Sequence, residues 1–130
     1  MYLHFNASIY INHHVKPIRF VDSSQKDLRE MPADVRHALG VELLVVQFGG
    51  DPTDFKPMPE VGAGAYKIRY RDAANGAFRV RYVAKFADAV YVLHAFQKKT
   101  PKTSKPDMDL AANRYRKLIG ELNEQQKQHK

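Results

Sequence analysis

Hydrophobic and polar residues recur along this chain with two different periods, which divide it into helical and extended parts. In the first half a short strand is predicted at Pro17–Val21, followed by a helix that begins near Ser23 or Ser24 and ends at Met31. Apolar residues then recur every three or four positions over residues 33–48, and a glycine pair ends the repeat. These two helices are predicted to form a hairpin with one apolar face. The apolar positions of the second helix are Val35, Leu39, Leu43 and Val46.

From residue 65 the period becomes two, which is typical of strands. Residues 50–64 contain three prolines and three glycines and are predicted to be a loop. Three strands follow, at Tyr66–Arg71, Phe78–Lys85 and Ala89–Lys98, and Asn75-Gly76 marks the first turn between them. Strict alternation on the third strand places Tyr91, Leu93 and Ala95 on one face, and Val92, His94, Phe96 and Lys98 on the other. The sequence therefore predicts a three-stranded antiparallel meander.

A last helix is predicted from Pro106, with Asp107 as its N-cap, to about Asn123. Its apolar stripe consists of Met108, Ala111, Ala112, Tyr115, Leu118, Ile119 and Leu122. Residues 126–130 form a polar tail that is expected to fray. Residues 1–15 alternate apolar and polar positions, which fits an edge strand or a disordered extension. The fold class is therefore α+β, with a single domain over residues 16–125.

Composition narrows the function classes. The chain has 130 residues and no cysteine, so disulfide scaffolds, thiol catalysis and cysteine zinc sites are excluded. No apolar run is long enough to span a membrane, and residues 1–15 lack the pattern of a secretory signal, so a cytoplasmic location is expected. The adjacent pair His13 and His14 is weak evidence for a metal site. The net charge of +7 favours an anionic partner.

The whole excess of positive over negative charge lies in the second half of the chain. Residues 1–65 contain 6 Lys or Arg against 8 Asp or Glu, whereas residues 66–130 contain 15 against 6. On the first two strands of the predicted meander the basic residues share one face, where like charges opposite each other destabilise a sheet. We infer that an anion binds this face, phosphate being the obvious candidate. The residues of the face are Lys67, Arg69, Arg71, Arg79, Arg81 and Lys85. The alternative is a face that is merely solvated.

Such a face has the groups needed for RNA cleavage without a metal ion. The ribose 2′-hydroxyl attacks the adjacent phosphate when a base removes its proton, and cations stabilise the developing charge. His94 is the only histidine of the strand region and is the natural candidate for proton transfer. Lys67 could serve if neighbouring arginines lowered its pKa. Phe96 could provide a ring on which a base stacks.

Several segments resemble the RelE/HigB-type toxins, in particular the phage-derived branch of that family. The resemblance extends from about Lys16 to Leu122, and its most specific part is the run from His94 to Thr100. The segments that carry it are Tyr66-Lys67-Ile68-Arg69, Gly76-Ala77-Phe78-Arg79-Val80 and Leu93-His94-Ala95-Phe96-Gln97-Lys98-Lys99-Thr100, with Lys26-Asp27-Leu28, Val35-Arg36 and Gln47-Phe48-Gly49 upstream.

The resemblance implies a RelE/ParE-like α+β toxin of a type II toxin–antitoxin system. Toxins of this family cleave mRNA, typically in the ribosomal decoding site, without a metal or other cofactor. The implied catalytic residues are Lys67, Arg69, Arg79, His94 and Lys98, and the residues expected to bind RNA are Arg71, Arg81, Lys85, Phe96, Lys99 and Lys102. Some relatives have a functional tyrosine soon after the last strand. Here the next tyrosine is Tyr115, on the apolar stripe of the terminal helix.

The expected partners are mRNA, the ribosome and a helix-turn-helix antitoxin, while a higher-order toxin–antitoxin complex is left open. Two other functions remain open at this point. One is a non-catalytic protein of the same fold that binds a protein target such as gyrase, as ParE-type relatives do. The other is a plain RNA-binding module.

Overall fold

The computed structural model describes residues 15–128, which form one sheet with helices on both faces. The predicted mixed α+β class with a C-terminal helix is confirmed. The alternating segment before residue 15 and the pair His13 and His14 lie outside the described residues. The elements are β1 (Ile18–Phe20), α1 (Ser24–Arg29), α2 (Ala33–Gln47), β2 (Phe55–Pro57), β3 (Ala65–Asp72), β4 (Gly76–Val83), β5 (Val90–Lys98) and α3 (Lys105–Gln128).

The sheet has five strands in the order β1-β5-β4-β3-β2. To the three strands predicted as a meander it adds β1, within the strand predicted at Pro17–Val21, and β2. Strand β1 pairs in parallel with β5, and the other neighbouring strands are antiparallel. The prediction that residues 50–64 form only a loop was wrong, because β2 lies within them and pairs with β3 through Phe55 and Ile68. Its Pro57 is compatible with a strand because β2 is at the edge of the sheet, where a missing amide donor is tolerated.

The core has two layers, one on each face of the sheet. Helices α1 and α2 cover the first face, and the predicted apolar stripe of α2 is buried there, with Val35 and Leu39 fully inaccessible. Helix α3 covers the second face with Ala111, Tyr115 and Leu118. The opposite side of α2 is also apolar but exposed, at Val41, Leu44, Val45 and Phe48. No helix in residues 15–128 is long and apolar enough to cross a membrane.

A β-bulge at Leu93 changes which side chains of β5 share a face. Tyr82 pairs with Val92 while the adjacent Arg81 pairs with His94, so Leu93 is an extra residue in β5. Leu93 packs under α3, whereas Val92 and Ala95 both pack on the side of α1 and α2. The predicted grouping of Ala95 with Leu93, and of Val92 with His94, was therefore wrong. Because of the bulge, the side chain of His94 reaches α3, on the face that carries the basic residues.

The ends of the helices also differ from the prediction. Helix α3 begins at Lys105, so Asp107 lies in its first turn and is not the N-cap. The helix continues to Gln128 instead of fraying after Asn123, because glutamine, glutamate and lysine all favour helix. Ser23 occupies the N-cap position of α1, but its hydroxyl makes no capping bond and donates to the carboxylate of Asp27.

Candidate functional site

A cationic cleft lies where β3, β4 and β5 meet the loop that leads into α3. Lys67 pairs directly with Arg81, and Arg69 pairs directly with Arg79, so two rows of basic side chains stand side by side. Seven of the eleven residues predicted to be functional line this cleft. The lining residues are Lys67, Arg79, Arg81, Phe96, Lys98, Lys99, Thr100, Lys102, Thr103, Ser104 and Asp107.

Arg81 is the most unusual residue of the cleft, because its charged side chain is buried. The residue is only 2% exposed, and neither Nε nor Nη1 has a hydrogen-bond acceptor among residues 15–128. Burial lowers the pKa of Arg81 against the opposing effect of Asp107, and the nearby Arg79 lowers it further. A buried guanidinium with unpaired donors is costly to the folded state. Arg81 lines the cleft, and an anion bound there would supply the negative charge that this buried, unpaired guanidinium lacks.

The other cations of the cleft repel one another. Burial lowers the pKa of Lys67, and the positive charges of Arg81, Arg79 and Lys98 lower it further. The pKa of Lys98 is lowered by desolvation and then by the same arginines. An anion bound between these groups would remove the repulsion, so the cleft favours a negatively charged ligand.

His94 does not line the cleft, although the sequence made it the first candidate for proton transfer. The residue is buried, and its Nε2 lies 2.9 Å from Oδ1 of Asp107. Since a carboxylate only accepts, the neutral imidazole donates from Nε2, and Nδ1 has no partner among the described residues. Burial, together with the positive charges of Arg114 and Arg81, lowers the pKa of His94 despite the opposing effect of Asp107. The folded protein therefore favours the neutral imidazole.

The burial of His94 predicts a pH-dependent stability. The ordinary pKa of 6.5 applies in the unfolded chain, which therefore binds more protons than the folded chain at pH values between the lowered pKa and 6.5. The contribution of the neutral His94 to the free energy of unfolding is complete above pH 6.5, and it decreases as the pH falls from 6.5 toward the lowered pKa. The charged groups facing the ring are Asp107, Arg114 and Arg81. Urea unfolding at about pH 5.5 and about pH 7.5 should show lower stability at the acidic pH.

The control for this prediction is His94→Gln, which cannot titrate. The stability of the variant should vary less between the two pH values than that of the wild type. Equal pH dependence in the two proteins would show that the neutral imidazole is not favoured by folding.

The ring of Phe96 already contacts two protein groups. It stacks on the imidazole of His94, with ring centroids 4.4 Å apart and planes inclined by 20°. The guanidinium carbon of Arg81 lies 5.3 Å from its centroid. Phe96 thus joins the buried His94 to the cleft and helps to fix the position of Arg81. Its predicted stacking on a base would use the part of the ring that these groups leave uncovered.

Three other predicted residues lie outside the cleft. Arg69 forms an ion pair with Asp54, with 2.8 Å between Nη2 and Oδ1, so its charge is already compensated. Arg71 lines a separate groove that adjoins the cleft. Lys85 lies near the rings of Phe86 and Tyr115 under the C-terminal helix, away from the other predicted residues.

Sequence reasoning missed the polar side chains of the loop and helix start that close the cleft. Thr100 lies between Lys99 and Lys102, which were predicted to bind RNA, and Thr103 and Ser104 follow directly after Lys102. Their position next to these lysines was the available signal. Asp107 was interpreted as a helix cap, whereas it binds His94. Tyr115 donates from its hydroxyl to the carbonyl of Ala63, away from the cleft.

Arg114 holds the bulge of β5 in place. Its Nη1 donates to the carbonyl oxygen of Leu93 at 2.8 Å, and its Nη2 donates to Oγ of Ser23 at 2.8 Å. Nε of Arg114 also lies 3.6 Å from the carboxylate of Asp22. Asp22 has a φ of 51°, an uncommon conformation for a residue other than glycine, and its carboxylate is further held by Lys117 at 2.6 Å. This network fixes the backbone from which His94 and Phe96 extend.

Within residues 15–128, no group of three or more His, Asp or Glu side chains is placed to hold a metal ion. The polar groups of the cleft are mainly hydrogen-bond donors and cations, which suit an oxyanion.

Comparison with known proteins gives one family. A family model described as "Phage derived protein Gp49-like (DUF891)" matches residues 26–116. The matched range contains β2 to β5 and every residue that lines the cationic cleft. No curated protein matches the chain.

Proposed function

Because the chain belongs to the phage-derived Gp49-like family, we propose that it is the toxin of a type II toxin–antitoxin system and cleaves mRNA. The observation that carries the proposal is the buried guanidinium of Arg81, whose Nε and Nη1 lack acceptors, in a cleft with Lys67, Arg79 and Lys98. The planar fork of a guanidinium matches the oxygens of a phosphate group, and the nearby cations would stabilise its charge.

The proposed reaction uses the 2′-hydroxyl of the RNA as the nucleophile. Its oxygen bonds to the adjacent phosphorus, the bond from phosphorus to the 5′-oxygen breaks, and the products are a 2′,3′-cyclic phosphate and a 5′-hydroxyl. Lys67, as the neutral amine, takes the proton of the 2′-hydroxyl, and Lys98, as the ammonium, donates a proton to the leaving oxygen. Arg79 and Arg81 stabilise the negative charge that develops on the phosphate.

Lys67 is a better candidate for the base than His94. Lys67 lines the cleft, and its lowered pKa increases the fraction of neutral amine near neutral pH. His94 is buried, and its Nε2 is bound to Asp107. The role that we propose for His94 is to position Phe96, on which it stacks.

The proposal for Lys67 is tested with Lys67→Arg, which keeps the positive charge but cannot lose its proton at ordinary pH. The cleavage rate of the wild type should rise with pH as Lys67 is deprotonated. In the variant that rise should be absent, and the rate should fall by about 10²-fold or more, the typical loss of a general base. The measurement is the initial rate on a labelled mRNA, with and without ribosomes, between about pH 6 and pH 9. If the cleavage rate of the variant rose with pH as that of the wild type does, Lys67 would be excluded as the base.

Cellular targets are tested by inducing the protein and mapping the 5′ ends of mRNA. Cuts in phase with codons, found only in translated messages, are expected for a ribosome-dependent nuclease. DNA damage with intact mRNA would instead indicate a protein target such as gyrase. Intact mRNA and DNA, with RNA bound in vitro, would leave an RNA-binding module.

A helix-turn-helix antitoxin is the partner that we propose. A small helix-turn-helix reading frame in the neighbouring gene would support it, and coexpression of that gene should remove the growth defect. A growth defect that persists with both genes expressed would count against this partner.

A further inference from the structure

The cationic cleft continues into a second groove along the sheet. Arg71, Gly76, Ala77 and Pro101 line only the second groove, whereas four other residues line both. The shared residues are Arg79, Lys98, Lys99 and Thr100. Because three cations of the cleft belong to both depressions, a bound anion can extend from one to the other over an unbroken basic surface.

Carboxylates lie beside this basic surface on two sides, but among the described residues none pairs with the cations of the second groove. On the side of β2, Asp54 neutralises Arg69. At the start of α3, Asp107 closes the cleft and binds His94. Among the described residues no carboxylate lies within 4 Å of the charged groups of Arg71 and Lys99.

Asp72, the acid next to Arg71 in sequence, does not compensate its charge. The Oδ2 atom of Asp72 accepts hydrogen bonds from the backbone amides of Ala74 and Asn75 and from the side chain of Asn75. This carboxylate is thus engaged in the turn between β3 and β4. Arg71 itself is exposed and faces the second groove.

The two ends of the basic surface are lined by different cations, Lys67 in the cleft and Arg71 in the second groove. Lys67 and Arg71 lie on the same face of β3, four residues apart, which separates their Cα atoms by about 13 Å at the usual rise of a strand. A hydrogen bond to a phosphate oxygen requires a donor at about 3 Å. Because the cleft and the second groove are separate depressions, a ligand that occupies both would present an anionic group to each.

We propose that the protein binds single-stranded RNA through two phosphate subsites, an inner one at Arg81 and Lys67 and an outer one at Arg71 and Lys99. Arg79 lies between them on β4. The inference rests on the proposed function, because it takes RNA as the polyanion. It adds that the smallest ligand bound with full affinity contains two phosphates, and that Arg71 contributes to binding without taking part in the reaction.

The experiment uses 2′-O-methyl RNA oligomers that carry one, two or three phosphates and cannot be cleaved, since they lack the nucleophile. Their dissociation constants are measured by titration calorimetry for the wild type, Arg71→Ala and Arg29→Ala. Arg29 is an exposed residue of α1, on the opposite face of the sheet, and its variant loses the same charge. In the wild type and in Arg29→Ala, affinity should rise at least about tenfold when a second phosphate is present, a difference of about 1.4 kcal/mol.

Arg71→Ala should lose most of this gain, while its affinity for the one-phosphate oligomer stays within about twofold of the wild type. Its salt dependence should also weaken, with the slope of log K against log salt smaller by about 0.7, the value for one phosphate contact on a single strand. Lys99→Ala provides a second test of the outer subsite, because Lys99 is exposed. Thermal unfolding of each variant checks that it is folded.

If the affinity rose equally with the number of phosphates in the wild type, Arg71→Ala and Lys99→Ala, the outer subsite would be overturned. Cleavage of unmodified RNA together with that result would leave the proposed function intact. Conversely, a gain that depends on Arg71, without cleavage of unmodified RNA either alone or on translating ribosomes, would overturn the nuclease and support the two subsites.

Discussion

Replacing Arg81 with methionine is expected to abolish RNA cleavage and, at the same time, to raise the free energy of unfolding. The loss of cleavage should be about 10²- to 10³-fold, the effect of removing one preorganised donor to the developing negative charge. The stability should increase by about 1 to 2 kcal/mol, because a buried cation without an acceptor is replaced by a shorter, unbranched apolar side chain. The two changes have opposite signs, which a misfolded variant could not produce.

The rate on labelled RNA and the urea midpoint of Arg81→Met are the two measurements. Arg81→Lys is the matched control, since it keeps a buried positive charge but presents a single ammonium instead of a fork. This control should lose activity without the gain in stability. If Arg81→Met kept its activity within about threefold, Arg81 would not be a phosphate ligand. A less stable Arg81→Met would mean that the guanidinium is compensated in the folded protein.

Replacing Arg114 with leucine is expected to give the largest loss of stability among the changes considered, about 2 to 3 kcal/mol. The side chain of Arg114 is only 11% exposed, and it donates to the carbonyl of Leu93 and the hydroxyl of Ser23. Its removal leaves the carbonyl oxygen at the bulge without this donor, and an unsatisfied buried acceptor costs about 1 to 3 kcal/mol. Part of the loss comes from Asp22, which would keep only Lys117 as a partner.

The control is Arg116→Leu, a variant of an exposed arginine two positions away on the same helix. Its stability should remain within about 0.5 kcal/mol of the wild type. Chemical denaturation compares the variants, and the dissociation constant for the one-phosphate oligomer reports on the cleft. Affinity should fall in Arg114→Leu, since the bulge orients Phe96 and its contact with Arg81. Equal stability of the two variants would show that Arg114 does not support the bulge.

The helices and the three long strands could be predicted because their signals are local. Val35, Leu39 and Leu43 follow one another at helical spacing and are all buried on the sheet. The residues from Tyr66 to Arg71 alternate, and their apolar members pack on the side of α1 and α2. Strand β2 was missed because three residues with a proline carry almost no periodicity. It exists because the edge of β3 provides a partner.

The composition of the cleft was predictable for a similar reason. Alternation on β3 and β4 placed Lys67, Arg79 and Arg81 on one face, and the structure gathers them in one cleft. Alternation failed on β5, since a single extra residue at Leu93 reverses the faces of all residues after it. Nothing in the order of residues 90–98 marks this bulge, whose carbonyl is held by a helix 21 positions further along the chain.

The sequence by itself determined which segments are helices and strands and on which strands the positive charge is concentrated, because period and charge are properties of neighbouring residues. Only the tertiary structure decided which cations remain free. It pairs Arg69 with Asp54, brings Asp107 to His94, and buries Arg81 without an acceptor. Burial and ion pairing depend on contacts between residues far apart in the chain. The same kind of basic side chain is therefore compensated on one strand and available to a ligand on the next.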